Sequence, residues 1–172
     1  MTAPRDPDQA ILLARARRLA VALADERSQG DLAPGAAAIV VEVADQAYAF
    51  PLVDVRRAAI VHAVTELPHV PPVVLGLGLV DGEPLAIYDA RVWLGRDRRT
   101  SLVHLPVLVL GSDREPLALA VDRFVGSLVI PPPRDGQGWL QEVTEQGVLI
   151  VRVAALLRDP TFSTSAAEGR LV

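Results

Sequence analysis

The most constraining feature of this chain is a pair of apolar runs that meet at Asp81-Gly82. One run spans residues 73–80 and the other 84–88, inside the stretch 68–95, which reads PHVPPVVLGLGLVDGEPLAIYDARVWLG. Asp and Gly accept the positive φ angles that a two-residue type I′ turn demands, so apolar runs on either side of Asp-Gly predict a tight antiparallel hairpin with Gly82 at positive φ. A Pro-rich bend leads into the first run, and Asp89, Arg91 and Gly95 close the second.

The rest of the chain is patterned the same way after a different start. Residues 8–29 predict an N-terminal helix: Asp8 can cap it, and Ile11, Leu12, Ala16, Leu19, Ala20 and Leu23 recur at near-helical spacing. Gly30 is a suitable stop, and Pro34-Gly35 end a linker. Residues 1–34 are therefore read as helix and linker, 35–160 as the folded domain and 161–172 as a tail expected to be mobile. Within the domain, strands are predicted over 36–44 and 47–53 around a turn at Asp45-Gln46. A corner then leads into a strand ending near Val64. After the hairpin come a charged loop at 96–99 and strands over 102–110, 117–121 leading on through Asp122 to Ile130, 139–143 and 147–153. A short helix is predicted from Ala154. Pro131-Pro132-Pro133 cannot donate ladder hydrogen bonds and must end a strand. Short strands separated by turn signals predict a mainly β barrel or sandwich rather than a parallel sheet.

Composition excludes several function classes. The 172 residues are enough for a real core. No apolar run approaches the roughly 20 residues of a membrane span, and the N-terminus lacks the basic-then-apolar pattern of a secretory signal. The absence of cysteine rules out disulfides and thiolate metal sites and fits a cytoplasmic protein. A net charge of −4 and few aromatics argue against nucleic acid as a partner. All seventeen basic residues are Arg.

Catalytic and cofactor chemistry finds no foothold. Gly76-x-Gly78-x-x-x-Gly82 is one residue off a dinucleotide fingerprint, and a strand pattern rather than a helix follows it. His62, His69 and His104 share no metal-ligand spacing. A hydrolytic or ligand-binding pocket around Ser101, His104 and Asp89 would need convergent polar groups, and the sequence shows no nucleophile elbow. The reading is no catalytic, cofactor or metal site.

A family resemblance runs through the same residues. Tyr48-Ala49-Phe50-Pro51 precedes Val55; Gly76 and Gly82 match the two glycines of a G-x-x-N-L-R-G motif; Asp89 and Arg91 match a D-L-R motif; Val121-Asp122 with Phe124 looks like V-D-x-V. In this order the motifs resemble CheW-like coupling domains of bacterial chemosensory systems. The likeness covers roughly residues 36–157. It implies a pair of five-stranded SH3-like β-barrels sharing an apolar core, here behind an N-terminal helix. It also implies a non-catalytic adaptor in the cytoplasm, bound to the regulatory domain of a CheA-type histidine kinase, to the cytoplasmic tip of chemoreceptors and to other CheW-like proteins. Carried over by position, the implied partner-binding residues are Val55, Arg57, Gly76, Leu79, Asp81, Gly82 and Arg91.

The chain departs from the family pattern where Leu79-Val80-Asp81 replaces Asn-Leu-Arg, where Ala86 replaces Pro, where Ser127 replaces Val, and in a short segment between Ser127 and Trp139. Asp81 matters most, because an anion cannot keep a cation's ion pair with the same acidic partner. A paralogue serving another signalling system, such as pilus motility, is the alternative this implies.

Overall fold

The computed structural model describes residues 35–112, 115–132 and 136–162. The helix expected over 8–29 and residues 163–172 of the tail read over 161–172 lie outside the described residues; Thr161 and Phe162 are described, in a short turn that buries Phe162. The described chain is built from ten strands: β1 (Ala36–Val43), β2 (Gln46–Pro51), β3 (Val55–Thr65), β4 (Val74–Val80), β5 (Glu83–Asp89), β6 (Val103–Gly111), β7 (Pro116–Ala120), β8 (Arg123–Ile130), β9 (Leu140–Val143) and β10 (Leu149–Val151). Two short helical turns, α1 (Ala90–Trp93) and α2 (Val153–Leu156), follow β5 and β10.

The strands form two five-stranded units. β3-β4-β5-β7-β6 close into a barrel, and the others form a sheet in the order β8-β1-β2-β10-β9. Each unit contains one parallel pair, β5 with β7 and β2 with β10; every other pairing is antiparallel. The chain enters the sheet, crosses into the barrel at β3 and returns at β8, so two crossings tie the units together.

Side-chain alternation explains why the units fuse. In β6, Val107, Leu108, Val109 and Leu110 are all fully buried. Val107 and Val109 fill the barrel with Val61, Leu75, Ile87, Ala118 and Ala120. Leu108 and Leu110 point the other way, into a second core with Leu117, Leu119, Ile39, Val41, Tyr48 and Phe50. β1 does the same from the opposite side: Ala38 and Val40 join a small core with Ala49, Ile130 and Ile150, while Ile39 and Val41 enter the shared one. Strands buried on both faces read as continuous apolar runs, which is why 107–110 and 38–41 lack the alternation of half-exposed strands. The shared core is thus a sandwich layer between the units. At about 25 cal/mol per Å² of apolar surface removed from water, this layer opposes any separation of the two.

The hairpin at Asp81-Gly82 forms as its residues require. Val80 pairs with Glu83, and Asp81 and Gly82 hold φ of 52° and 85°, the two left-handed residues of a type I′ turn. A second such turn joins β1 to β2, one residue earlier than the sequence reading placed it. Val43 pairs with Gln46, and Ala44 and Asp45 carry the positive φ angles of 49° and 65°. An Ala at a left-handed position is uncommon and carries no sequence signal, hence the shift.

Candidate partner-binding surface

Four charged side chains lock the units where β5, α1 and β7 end. Asp89, the last residue of β5, is the one fully buried ionisable residue among those described. Its Oδ1 accepts from the Arg91 backbone N–H at 3.0 Å, which caps α1. Arg99 donates to it twice more, from its backbone N–H to Oδ2 and from Nε to Oδ1, each at 3.0 Å. Arg99 turns its remaining donors to the carbonyls of Ala120 and Val121, at 3.0 and 3.1 Å. Asp122 accepts from Arg91 Nε at 2.8 Å and Nη2 at 2.9 Å. It also accepts from the Ala44 N–H at 2.7 Å, at the tip of the β1–β2 turn in the other unit. Burial opposes ionisation of Asp122, but the hydrogen bonds from Arg91 and Ala44 and the Arg91 and Arg99 charges outweigh it and hold its pKa below the ordinary carboxylate value. The same contact raises the pKa of Arg91.

Arg91 of the D-L-R motif and Asp122 of the V-D motif therefore meet one another, Arg91 still partly open to solvent. Arg91 belongs to this junction and pairs with Asp122, whereas Asp81 pairs with Arg57. Arg99 was placed with the charged loop. Its guanidinium is 8 % exposed, and no local pattern distinguishes it from Arg96 or Arg98.

The exposed counterpart is the edge of the β4–β5 hairpin. Leu79 is 64 % exposed, opposite Pro84. Arg57 on β3 reaches Glu83 at 2.7 Å and Asp81 at 3.8 Å. The anion that stands where the family pattern has Arg is thus met inside the chain by a cation flanked by two carboxylates. Arg57, Leu79, Asp81 and Gly82 form one edge. Val55 begins the same strand as Arg57, half-buried opposite Leu110 and packed on the shared core. Gly76 is buried at φ 145°, and a Cβ there would run into the Thr65 carbonyl, so its part is to let β4 and the end of β3 approach.

Several exposed side chains escaped the sequence reading. Val53 at the corner before β3 is 81 % exposed, and Val103 on β6 is 54 % exposed. Their apolar character gave no signal, because an exposed valine in a corner reads like a core valine in a strand. Aromatic residues gather instead at the seam: Trp93 packs edge-on against Trp139 with centroids 4.8 Å apart, and its Nε1 donates to Asp159 at 3.2 Å. No set of three or more metal-ligating side chains occurs among the described residues, and no helix among them is long and apolar enough to cross a membrane.

The family model described as the CheW-like domain matches residues 37–161. Among solved structures the chain is similar to that of the scaffolding protein TtCheW from Thermoanaerobacter tengcongensis. The two share 16% sequence identity and a TM-score of 0.57, with 69% of this chain and 90% of that chain covered. No curated protein sequence matches.

Proposed function

The chain belongs to the CheW-like domain family, and from that premise we propose that it is a non-catalytic adaptor coupling chemoreceptors to a CheA-type histidine kinase in a chemosensory array. The reading rests on surface, not chemistry. The observation that carries it is the rigid hairpin edge of Leu79, Asp81 and Glu83 beside Arg57, where an apolar side chain and fixed charges stand together on two paired strands. Such an edge suits a protein partner: a desolvated apolar anchor supplies affinity, and charges around it set register and exclude wrong partners. The buried ions at Asp89, Arg99 and Asp122 support this by holding both units in one arrangement, so that surfaces contributed by each face a partner together.

The second reading is a paralogue serving another signalling system. It is favoured by the inverted charge at Asp81 and its intrachain partner Arg57. Calorimetry of the full chain against the regulatory domain of each CheA-type kinase and each receptor tip encoded with it separates the two. Saturable binding to a flagellar-type kinase or receptor supports the first. Binding only to components of another system supports the second, and no binding to any of them removes both.

A further inference from the structure

The three histidines, at 62, 69 and 104, have no ligand spacing in sequence, yet the barrel brings two of them together. β3 and β6 run antiparallel with Val61 opposite Leu105 and Ala63 opposite Val103, so His62 and His104 meet between these pairs. Both are exposed. Their ring centroids lie 5.5 Å apart with the rings at 85° to each other. His104 holds φ at 52°, as His69 does at 59°, a left-handed conformation that His enters more readily than most residues with a Cβ. Among the described residues no protein hydrogen bond engages either imidazole.

The spacing has a chemical meaning. With metal–nitrogen bonds of about 2 Å, two imidazoles sharing one ion at a near-tetrahedral angle have ring centres roughly 5–6 Å apart. The observed separation falls in that range without a change of fold. Neutral imidazole suits zinc, copper and nickel rather than magnesium or calcium, which take oxygen ligands. We propose that His62 and His104 form a two-histidine surface site for a divalent transition-metal ion on the outer face of the barrel. No third side chain of the described residues completes it, so water or a second copy of the chain fills the remaining positions. The site is independent of the adaptor reading.

The test is titration of the full-length, tag-free protein with Zn²⁺ by calorimetry, on the native chain and on His62→Ala, His104→Asn and His69→Ala. Asn tolerates the left-handed backbone, so His104→Asn removes the ligand without adding strain. Saturable binding at one ion per chain, or one per two chains, weakened about tenfold or more by His62→Ala and by His104→Asn and unchanged by His69→Ala, establishes the site. Absence of saturable binding overturns it, as does wild-type affinity in either variant or an equal loss in His69→Ala. Substoichiometric Cu²⁺ gives a readout that needs no variant: the imidazole proton signals of His62 and His104 should broaden first. Broadening of His69 alone, or of all three alike, also overturns it.

Discussion

Arg99 lies against Asp89 at 3.0 Å, 8 % exposed beside a fully buried carboxylate, with its other nitrogens on the carbonyls of Ala120 and Val121. Nine residues of α1 and loop separate the two, and through Arg99 the end of β5 is joined to the end of β7. A buried pair of this kind contributes little over an apolar replacement, but breaking it from one side leaves a charge in the core.

Replacing Arg99 by Met should therefore cost about 3–5 kcal/mol, measured by urea unfolding, because Asp89 loses its cation and the Nε hydrogen bond while keeping the backbone N–H donors of residues 91 and 99. Replacing Asp89 and Arg99 together by apolar residues should recover part of that loss. A single Arg99→Met variant within about 1 kcal/mol of the native chain would show that burial alone holds this junction.

Gly82→Val should lower stability by roughly 1–2 kcal/mol, since a β-branched residue is strained at φ 85°. Gly82→Asn should cost less, because Asn enters the left-handed region readily. No neighbour lies within 4 Å of a Cβ built at Gly82, so any loss comes from backbone conformation, not collision. Equal melting temperatures for the Val variant and the native chain would contradict the type I′ turn.

Asp122 makes stability depend on pH in a stated direction. Its pKa is lower in the folded protein than the ordinary 3.8, so the unfolded chain binds its proton first as pH falls. Its contribution is complete above the unfolded value and is lost as pH drops through the folded one. Asp122→Asn should therefore destabilise the protein near neutrality and flatten the acid limb of stability against pH below about 4. An acid limb unchanged in the Asn variant would place the acid sensitivity elsewhere.

Much of the fold was legible because its signals are local. Asp-Gly between apolar runs places a turn, prolines end β8, and alternation marks strands. The two-unit arrangement was not local. Nothing in the run 107–110 says that Val107 and Leu108 belong to different cores, and only the resemblance supplied two barrels. The second unit is paired as a five-stranded sheet with β8 and β9 at its edges, and Gln141 on β9 donates to the carbonyl of Pro132, just past the end of β8. The candidate surface divides in the same way. Leu79, Asp81 and Gly82 come from one hairpin, and their proximity could be read. Arg57 reaches them from 26 residues before Glu83, and His62 meets His104 between the paired strands β3 and β6, which no spacing rule detects.

Asp81 carries the sharpest consequence for the adaptor reading. It is 61 % exposed at the side chain and within 3.8 Å of Arg57, which Glu83 holds at 2.7 Å. Asp81→Arg would set two cations side by side, but Glu83 remains between them and the site is solvated. The stability loss should be small, about 0.5 kcal/mol or less. Binding separates two cases. If a partner reads the negative charge, affinity should fall by about 1 kcal/mol or less, and the loss should shrink as salt rises because exposed charges are screened. The double variant Arg57→Glu with Asp81→Arg then decides what is being read. It restores the intrachain pair with its sign reversed. A partner that needs only an ordered hairpin should bind the double variant as well as the native chain. A partner that presents Arg or Lys toward Asp81 should bind it no better than the single variant, because the anion it approached is still a cation. Affinity unchanged by Asp81→Arg at every ionic strength would remove the Asp81 charge from the interface, and Val53 and Val103 would be among the exposed apolar residues to test next.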